Sequence, residues 1–203
     1  MGFTRQELAA CAGRSVPDLV PDDPAALRLL FVGINPGLWT AAAQAHFAHP
    51  GNRFFKALHA AGITPEALDV SAGFDERSRA ALVGRGIGIT NLVERATARA
   101  DELGANELRA GAACLEAKIR AWKPRVVAVV GIGAYRTAFG RRRAALGRQE
   151  ERWAGAELWA LPNPSGLNAH YQLDELAALY GQAAAAAGIP LARPKGRRGA
   201  SRA

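Results

Sequence analysis

Apolar residues gather in short runs closed by glycine or proline, and between those runs they recur at helical spacing. Four runs predict buried strands: Leu27 to Val32, Gly86 to Thr90, Arg125 to Val130 and Glu157 to Leu161. The first and third are almost uninterrupted, as in strands covered on both faces. Helical spacing puts Leu108, Ala112, Leu115, Ile119 and Trp122 on one stripe, with Asn106 as the predicted N-cap and Lys123-Pro124 as the stop. A second stripe of Leu173, Leu176, Ala177, Tyr180, Ala183, Ala184 and Ala187 runs to Gly188 and Pro190. Shorter helices are predicted at Asn52 to Ala61, at Tyr135 to Phe139 and after Thr4, the last followed by an entry loop from Ser15 to Pro24. Strands alternating with helices predict an α/β chain, three layers deep, around a central, mainly parallel sheet of four to five strands. No internal repeat is present, so residues 1–191 are read as one domain and 192–203 as a basic tail.

Composition narrows the class. With 49% hydrophobic residues in 203, the chain can bury a core, which excludes disorder throughout. No long uncharged apolar run occurs, so neither a membrane span nor an export signal is expected, and the protein is placed in the cytoplasm. Cys11 and Cys114 have no CxxC or Cys/His spacing around them. A zinc ribbon or iron–sulfur cluster is therefore excluded, both thiols are read as reduced and structural, and no metal or cofactor is expected. Much of the net charge of +8 comes from Arg193, Lys195, Arg197, Arg198 and Arg202, a segment with no acid. Such a tail either attracts nucleic acid or keeps the protein soluble, and charge does not choose between them.

In an open parallel sheet, ligands sit outside the carboxyl ends of the strands. The first strand is followed by Gly33-Ile34-Asn35-Pro36-Gly37 and then, after an alanine-rich stretch, by Phe47-Ala48-His49-Pro50-Gly51-Asn52-Arg53-Phe54. The fourth is followed by Pro162-Asn163-Pro164-Ser165-Gly166-Leu167-Asn168. Proline with its fixed φ, and glycine with its access to positive φ, make both loops conformationally specified rather than merely flexible.

These segments, with GIGITNLVERAT around the second strand, resemble the mismatch-specific uracil/thymine DNA glycosylases, a branch of the uracil-DNA glycosylase superfamily. Four linked motifs in order carry the resemblance from Leu27 to Tyr180. It implies the uracil-DNA glycosylase fold and, in a monomer, removal of uracil from G·U or G·T mismatches in double-stranded DNA by base flipping. Thymine and damaged pyrimidines are further candidates, and abasic-site repair enzymes act downstream. By resemblance Asn35 orients the attacking water, Phe47 stacks on the flipped base, and Ile34, Gly37 and Asn91 line its pocket. Asn163, Ser165, Gly166, Leu167 and Asn168 resemble the segment that wedges into the duplex, where the family loop is in some relatives followed by Arg rather than Ala169 and His170. Trp39 and Thr40 replace smaller residues common after GINPG, which bears on pocket width.

The chemistry agrees with these roles. Glycosidic cleavage needs a stabilised sugar cation, a held base anion and a placed water. An amide has no basic site near neutrality, so Asn35 would position water rather than deprotonate it, forgoing roughly 10² to 10⁴-fold of general-base assistance. Extruding a base costs a few kcal/mol, least at a mismatch, and Leu167 would plug the vacated stack. Asp101 and Glu94 are candidate carboxylates in the loop after the second strand, Asp101 being the one assigned to the catalytic set. His49 is expected to order its loop, while His46, His59 and His170 are read as solvated. Arg53 either meets phosphate or caps local structure, and Arg141 to Arg143 with Arg148 and Arg152 form either a phosphate-contacting patch or a solvated loop.

Rival readings are weaker. Gly131-Ile132-Gly133-Ala134-Tyr135-Arg136 has Arg where the dinucleotide fingerprint needs its last glycine. NPSG lacks the second proline and aromatic of the NPPY motif of amino-methyltransferases. Single-strand-selective uracil glycosylases share GxNPG but resemble HPSPRNP at the fourth loop. A single-strand-selective type of broader substrate range and a non-catalytic module gripping extrahelical bases are the two alternatives kept.

Overall fold

Leu29–Gly33 (β1) sends Leu29 and Phe31 to one side of the sheet and Leu30 and Val32 to the other, and every residue of it is buried. That alternation into two separate cores produces the continuous apolar run, and the chain is the three-layer α/β fold expected. The computed structural model describes residues 2–166 and 170–192. In chain order it contains α1 (Arg5–Ala9), β1, α2 (Leu38–Ala43), α3 (Phe54–Ala60), α4 (Glu76–Val83), β2 (Ile87–Asn91), α5 (Ala105–Trp122), β3 (Val126–Val130), α6 (Ile132–Ala138), β4 (Gly147–Trp153), β5 (Ala156–Leu161) and α7 (Leu173–Ala186). The sheet order is β2-β1-β3-β5-β4, with β4 antiparallel and the rest parallel. One core, beneath α3 and α7, is centred on Phe31, Phe54 and Tyr180, and the other packs Leu108, Leu115 and Ile119 of α5 and Tyr135 of α6 on the opposite face. Among the described residues no helix is long and apolar enough to cross a membrane.

The four predicted strands are present within two residues of their expected limits, and β4 is additional. Its sequence, GRQEERW, is polar and mostly exposed because it forms the sheet's edge, where charge also deters pairing with another chain. The hairpin into β5 turns through Ala154 and Gly155, both at positive φ, as a two-residue turn requires. Helices α2 and α4 are also additional, the latter capped by Asp75, whose carboxylate accepts from the Ser78 N–H at 2.7 Å. Gly104, not Asn106, occupies the N-cap of α5; the Asn106 side chain accepts instead from Arg109. α3 begins at Phe54 rather than Asn52, because Asn52 caps the Phe54 N–H and the Arg53 N–H is committed to the Pro164 carbonyl. α6 begins earlier than predicted: Gly131, at φ 136, reverses the chain straight out of β3. Cys11 is buried as expected, whereas Cys114 is exposed.

Parallel register aligns the strand ends: Gly33 pairs with Asn91, and Val130 with Leu161. Because β2 lies on one side of β1 and β3 on the other, the chain diverges between β1 and β3, the position where open α/β sheets form a crevice.

Candidate active site

A cavity of about 330 Å³ opens at that switch point, lined by Ile34, Gly131, Ile132, Gly133, Ala134, Asn163, His170 and Tyr171. Glycine directly after β3 keeps this space clear: a Cβ on Gly131 would lie 3.0 Å from the Ile34 side chain. Next to Ile34, the half-buried Asn35 donates its Nδ2 to the Thr97 hydroxyl at 2.7 Å, the Arg95 carbonyl at 3.0 Å and the Pro36 carbonyl at 3.2 Å. Carbonyls only accept, so the amide cannot be turned over without stranding two of these contacts. Among the described residues no donor reaches its Oδ1, which leaves a fixed acceptor open. The Thr97 N–H donates to the Pro36 carbonyl, and Gly37 pairs with Thr97, so the loops after β1 and β2 are tied together.

The wall beside Asn35 is built over Gly33. A Cβ there would lie 2.4 Å from Asn91 Oδ1 and 3.3 Å from Cζ of Phe47, so glycine lets the amide and the ring edge meet above the end of β1. Phe47 is half-buried at φ 56, and one face of its ring stacks on Phe54 with centroids 3.9 Å apart. Only the other face remains for a ligand. Asn91 Nδ2 lies 3.3 Å from Nδ1 of His46, whose Nε2 is 2.9 Å from the Pro17 carbonyl. His46 is therefore not solvated but 2% exposed, and burial pushes its pKa down to about 4.

The loop after β5 closes the other side. Tyr180, fully buried on α7, donates to the Pro162 carbonyl at 2.9 Å, and Asn163 accepts from the Ser165 N–H at 3.0 Å. Arg53 is partly buried and does not cap its helix with its side chain. Its guanidinium donates to the Ser165 carbonyl at 3.2 Å and the Tyr171 carbonyl at 2.7 Å, spanning the gap between those two segments. Gly166 sits so close to Gly51 that a Cβ would be 2.7 Å from the Gly51 carbonyl. Contacts thus join all four sequence motifs near the strand ends, Gly33 to Asn91, Pro36 to Thr97, Arg53 to Ser165 and Gly51 to Gly166, while the cavity itself takes only Ile34 and Asn163 from them. Leu167 and Asn168 lie outside the described residues.

The chain matches the model of the uracil DNA glycosylase superfamily over residues 20–185. It belongs to that superfamily. Its fold is similar to the solution structure of a Methanosarcina acetivorans protein provisionally assigned as a uracil DNA glycosylase, with a TM-score of 0.54 and 18% identity over 83% of this chain and 96% of that one. At such identity the likeness concerns fold alone. Membership supports a DNA glycosylase acting on uracil, with DNA as the substrate.

Other candidates in this superfamily member lie further out. Asp101 sits in a 3₁₀ turn, Ala100–Glu102, exposed and paired with Arg99 at 2.6 Å, a contact that holds its carboxyl below the usual range. Glu94 turns toward Lys118 on the α5 side, at 3.3 Å. His49 orders its loop as expected, accepting from the Gly51 N–H at 3.0 Å. Trp39 faces away, its Nε1 donating to the Ser71 carbonyl and its ring packing against Phe3 and His49, so it does not narrow the pocket. Arg141 pairs with Glu151, and Arg148 with Glu157. His46 and Arg53 are the residues whose roles the sequence did not disclose.

Proposed function

We propose that the chain is a monofunctional glycosylase of the mismatch-specific uracil/thymine branch, hydrolysing the N-glycosidic bond of uracil opposite guanine in duplex DNA, with thymine and damaged pyrimidines as further substrates. The observation that carries this reading is the Asn35 amide, pinned through its nitrogen by three acceptors with Oδ1 left open. An oxygen held that way accepts a hydrogen bond from water and aims the water's lone pair at the sugar, without taking its proton. The base would stack on the open face of Phe47 beneath the Asn91 amide. The Phe47 N–H, which donates to no acceptor among the described residues, is available to a pyrimidine carbonyl. Gly37 supports the same reading: at φ −75 it needs no glycine, and a Cβ there would meet nothing in the protein, so close approach of a ligand accounts for it. Ile34 completes the pocket floor. Asp101 would lend negative charge to the sugar cation, weakly because it is exposed.

Leu167 acts as the wedge, carried with Asn168 on the loop whose base is Asn163, Ser165 and Gly166, and filling the stack the base leaves. The catalytic domain is residues 1–191, and the basic tail 192–203 adds phosphate contacts. The protein works as a cytoplasmic monomer and hands its abasic product to downstream repair enzymes.

The test is a duplex with one G·U pair, incubated with protein and then treated with alkali to cut abasic sites. Wild-type protein should produce the cut only after alkali, since none of the four motifs offers a lysine for a Schiff base, and Asn35→Ala should be at least about 100-fold slower. Equal cleavage by both removes Asn35 from its role. No cleavage by wild type sinks the reading.

A further inference from the structure

A buried tyrosine hydroxyl ordinarily finds a hydrogen-bond partner, and that of Tyr135 on α6 has none among the described residues. Tyr135 is 2% exposed, and its ring stacks on Phe139 with centroids 4.8 Å apart. Burial raises its pKa, so the hydroxyl keeps its proton and remains a donor. It lines a cavity of about 610 Å³ that shares no lining residue with the crevice. Arg141, Arg142, Arg143 and Arg148 line the same cavity, together with Glu150 and Glu151, so positive charge is in surplus there. Arg141 is paired with Glu151 and Arg148 with Glu157, whereas Arg142 and Arg143 meet no carboxylate among the described residues. The loop that carries these arginines is closed by its neighbours. Arg136 donates twice to the Ala144 carbonyl, at 2.7 and 3.0 Å, and Gln149 donates to the Ala145 and Gly147 carbonyls, each at 2.9 Å.

The register of β4 says what passes over this cavity. Gly147 pairs with Ala160, next to the end of β5, so the arginine loop enters β4 at the end of the sheet that carries the crevice. Only α6 separates the two spaces: Ala134 lines the crevice and Tyr135 the second cavity. A helix is about 10 Å across, and a duplex rises about 3.4 Å per base pair. A strand with one nucleotide in the crevice therefore carries a phosphate past the exposed arginines about three base pairs away.

We propose that this cavity is a second DNA site, in which Tyr135, Arg142 and Arg143 take a single backbone phosphate about three base pairs from the nucleotide in the crevice. The guanidiniums and the phenol donate to the phosphate oxygens, and no covalent bond forms or breaks. The inference goes beyond the glycosylase reading, because it rests on DNA being the substrate and not on which base is removed.

The test is binding, by fluorescence anisotropy over a range of salt, to a duplex with an abasic-site analogue opposite guanine, which fixes the register and is not cleaved. Arg142→Gln combined with Arg143→Gln should weaken binding by about 10-fold and flatten the slope of log K against log salt by about 1. Tyr135→Phe keeps the ring and its stack on Phe139, and should weaken binding by about 3-fold. Backbone phosphates are then replaced in turn by neutral methylphosphonate. In wild type a replacement about two to four base pairs from the analogue should weaken binding, and in the double variant that same replacement should cost nothing further. Affinity and slope equal to wild type in the double variant, or a replacement whose cost the double variant retains, overturn the proposal. Inorganic pyrophosphate that binds wild type but not the double variant in calorimetry, with DNA binding equal in both, also overturns it and assigns the cavity to a small phosphate ligand. Wild type that shows the expected binding but removes no uracil overturns the glycosylase reading and leaves this site standing.

Discussion

Burying a neutral imidazole makes the fold sensitive to acid in a window that one side chain defines. His46 has its pKa lowered from 6.5 to about 4 by desolvation, opposed by the Pro17 carbonyl and by Asp18, while Lys118 acts in the same direction as burial. Because the depressed value belongs to the folded state, the unfolded chain binds the proton first as pH falls. The stabilisation is whole above 6.5 and is lost progressively down to about 4, a total of about 3 kcal/mol with about 2 kcal/mol gone by pH 5. The carboxylates with resolved shifts, such as Asp75, Asp101 and Glu107, are all lowered from 3.8 or 4.5, so they titrate beneath most of this window. Urea unfolding at pH 7 and pH 5 measures the loss. With a slope of about 2 kcal/mol/M, the wild-type midpoint should drop by about 1 M more than that of His46→Asn. Equal drops in the two proteins would mean that His46 is not buried neutral.

Tyr180→Phe strands the Pro162 carbonyl in the core at a cost of about 1–3 kcal/mol, and calorimetry should record a lower Tm by about 2–4 °C per kcal/mol; an unchanged Tm would deny that bond any weight. Gly33→Ala drives a methyl into Asn91 Oδ1 and should lower uracil excision far more than it lowers the urea midpoint, whereas wild-type rates would show that neither Asn91 nor Phe47 needs its position. Arg53→Gln loses the guanidinium fork on the Ser165 and Tyr171 carbonyls. Its activity on duplex should fall by about 10-fold or more while activity on single strands falls less, and a parallel loss on both would make Arg53 a general structural residue rather than a brace for the wedge loop.

Much of the fold was legible because the parallel strands are buried on both faces and announce themselves as apolar runs, with glycine and proline at their ends. The edge strand β4 breaks that rule, since GRQEERW buries little and carries charge where a central strand would carry valine. Asp75 before Glu76-Arg77-Ser78 is a readable cap that would have located α4. The alanine-rich stretch after Gly37 offered no apolar stripe, and its helix ends at Gln44 in a left-handed turn that no glycine signalled.

At the site the division is sharper. Asn35, Phe47, Asn91 and the NPSG loop lie in segments whose backbone is locally specified, so their positions follow from nearby sequence. His46 and Arg53 take their roles from partners far along the chain: Pro17, at a separation of 29 residues, and Ser165 and Tyr171, at 112 and 118. A histidine in a run of alanines, or an arginine before a helix, carries no periodicity that foretells such a partner. What makes these side chains consequential is the constraint they pass on. A carbonyl that can only accept fixes the tautomer of His46, and that tautomer fixes the Asn91 amide beside it. A motif names residues, whereas the direction in which an amide points is a property of the packed fold.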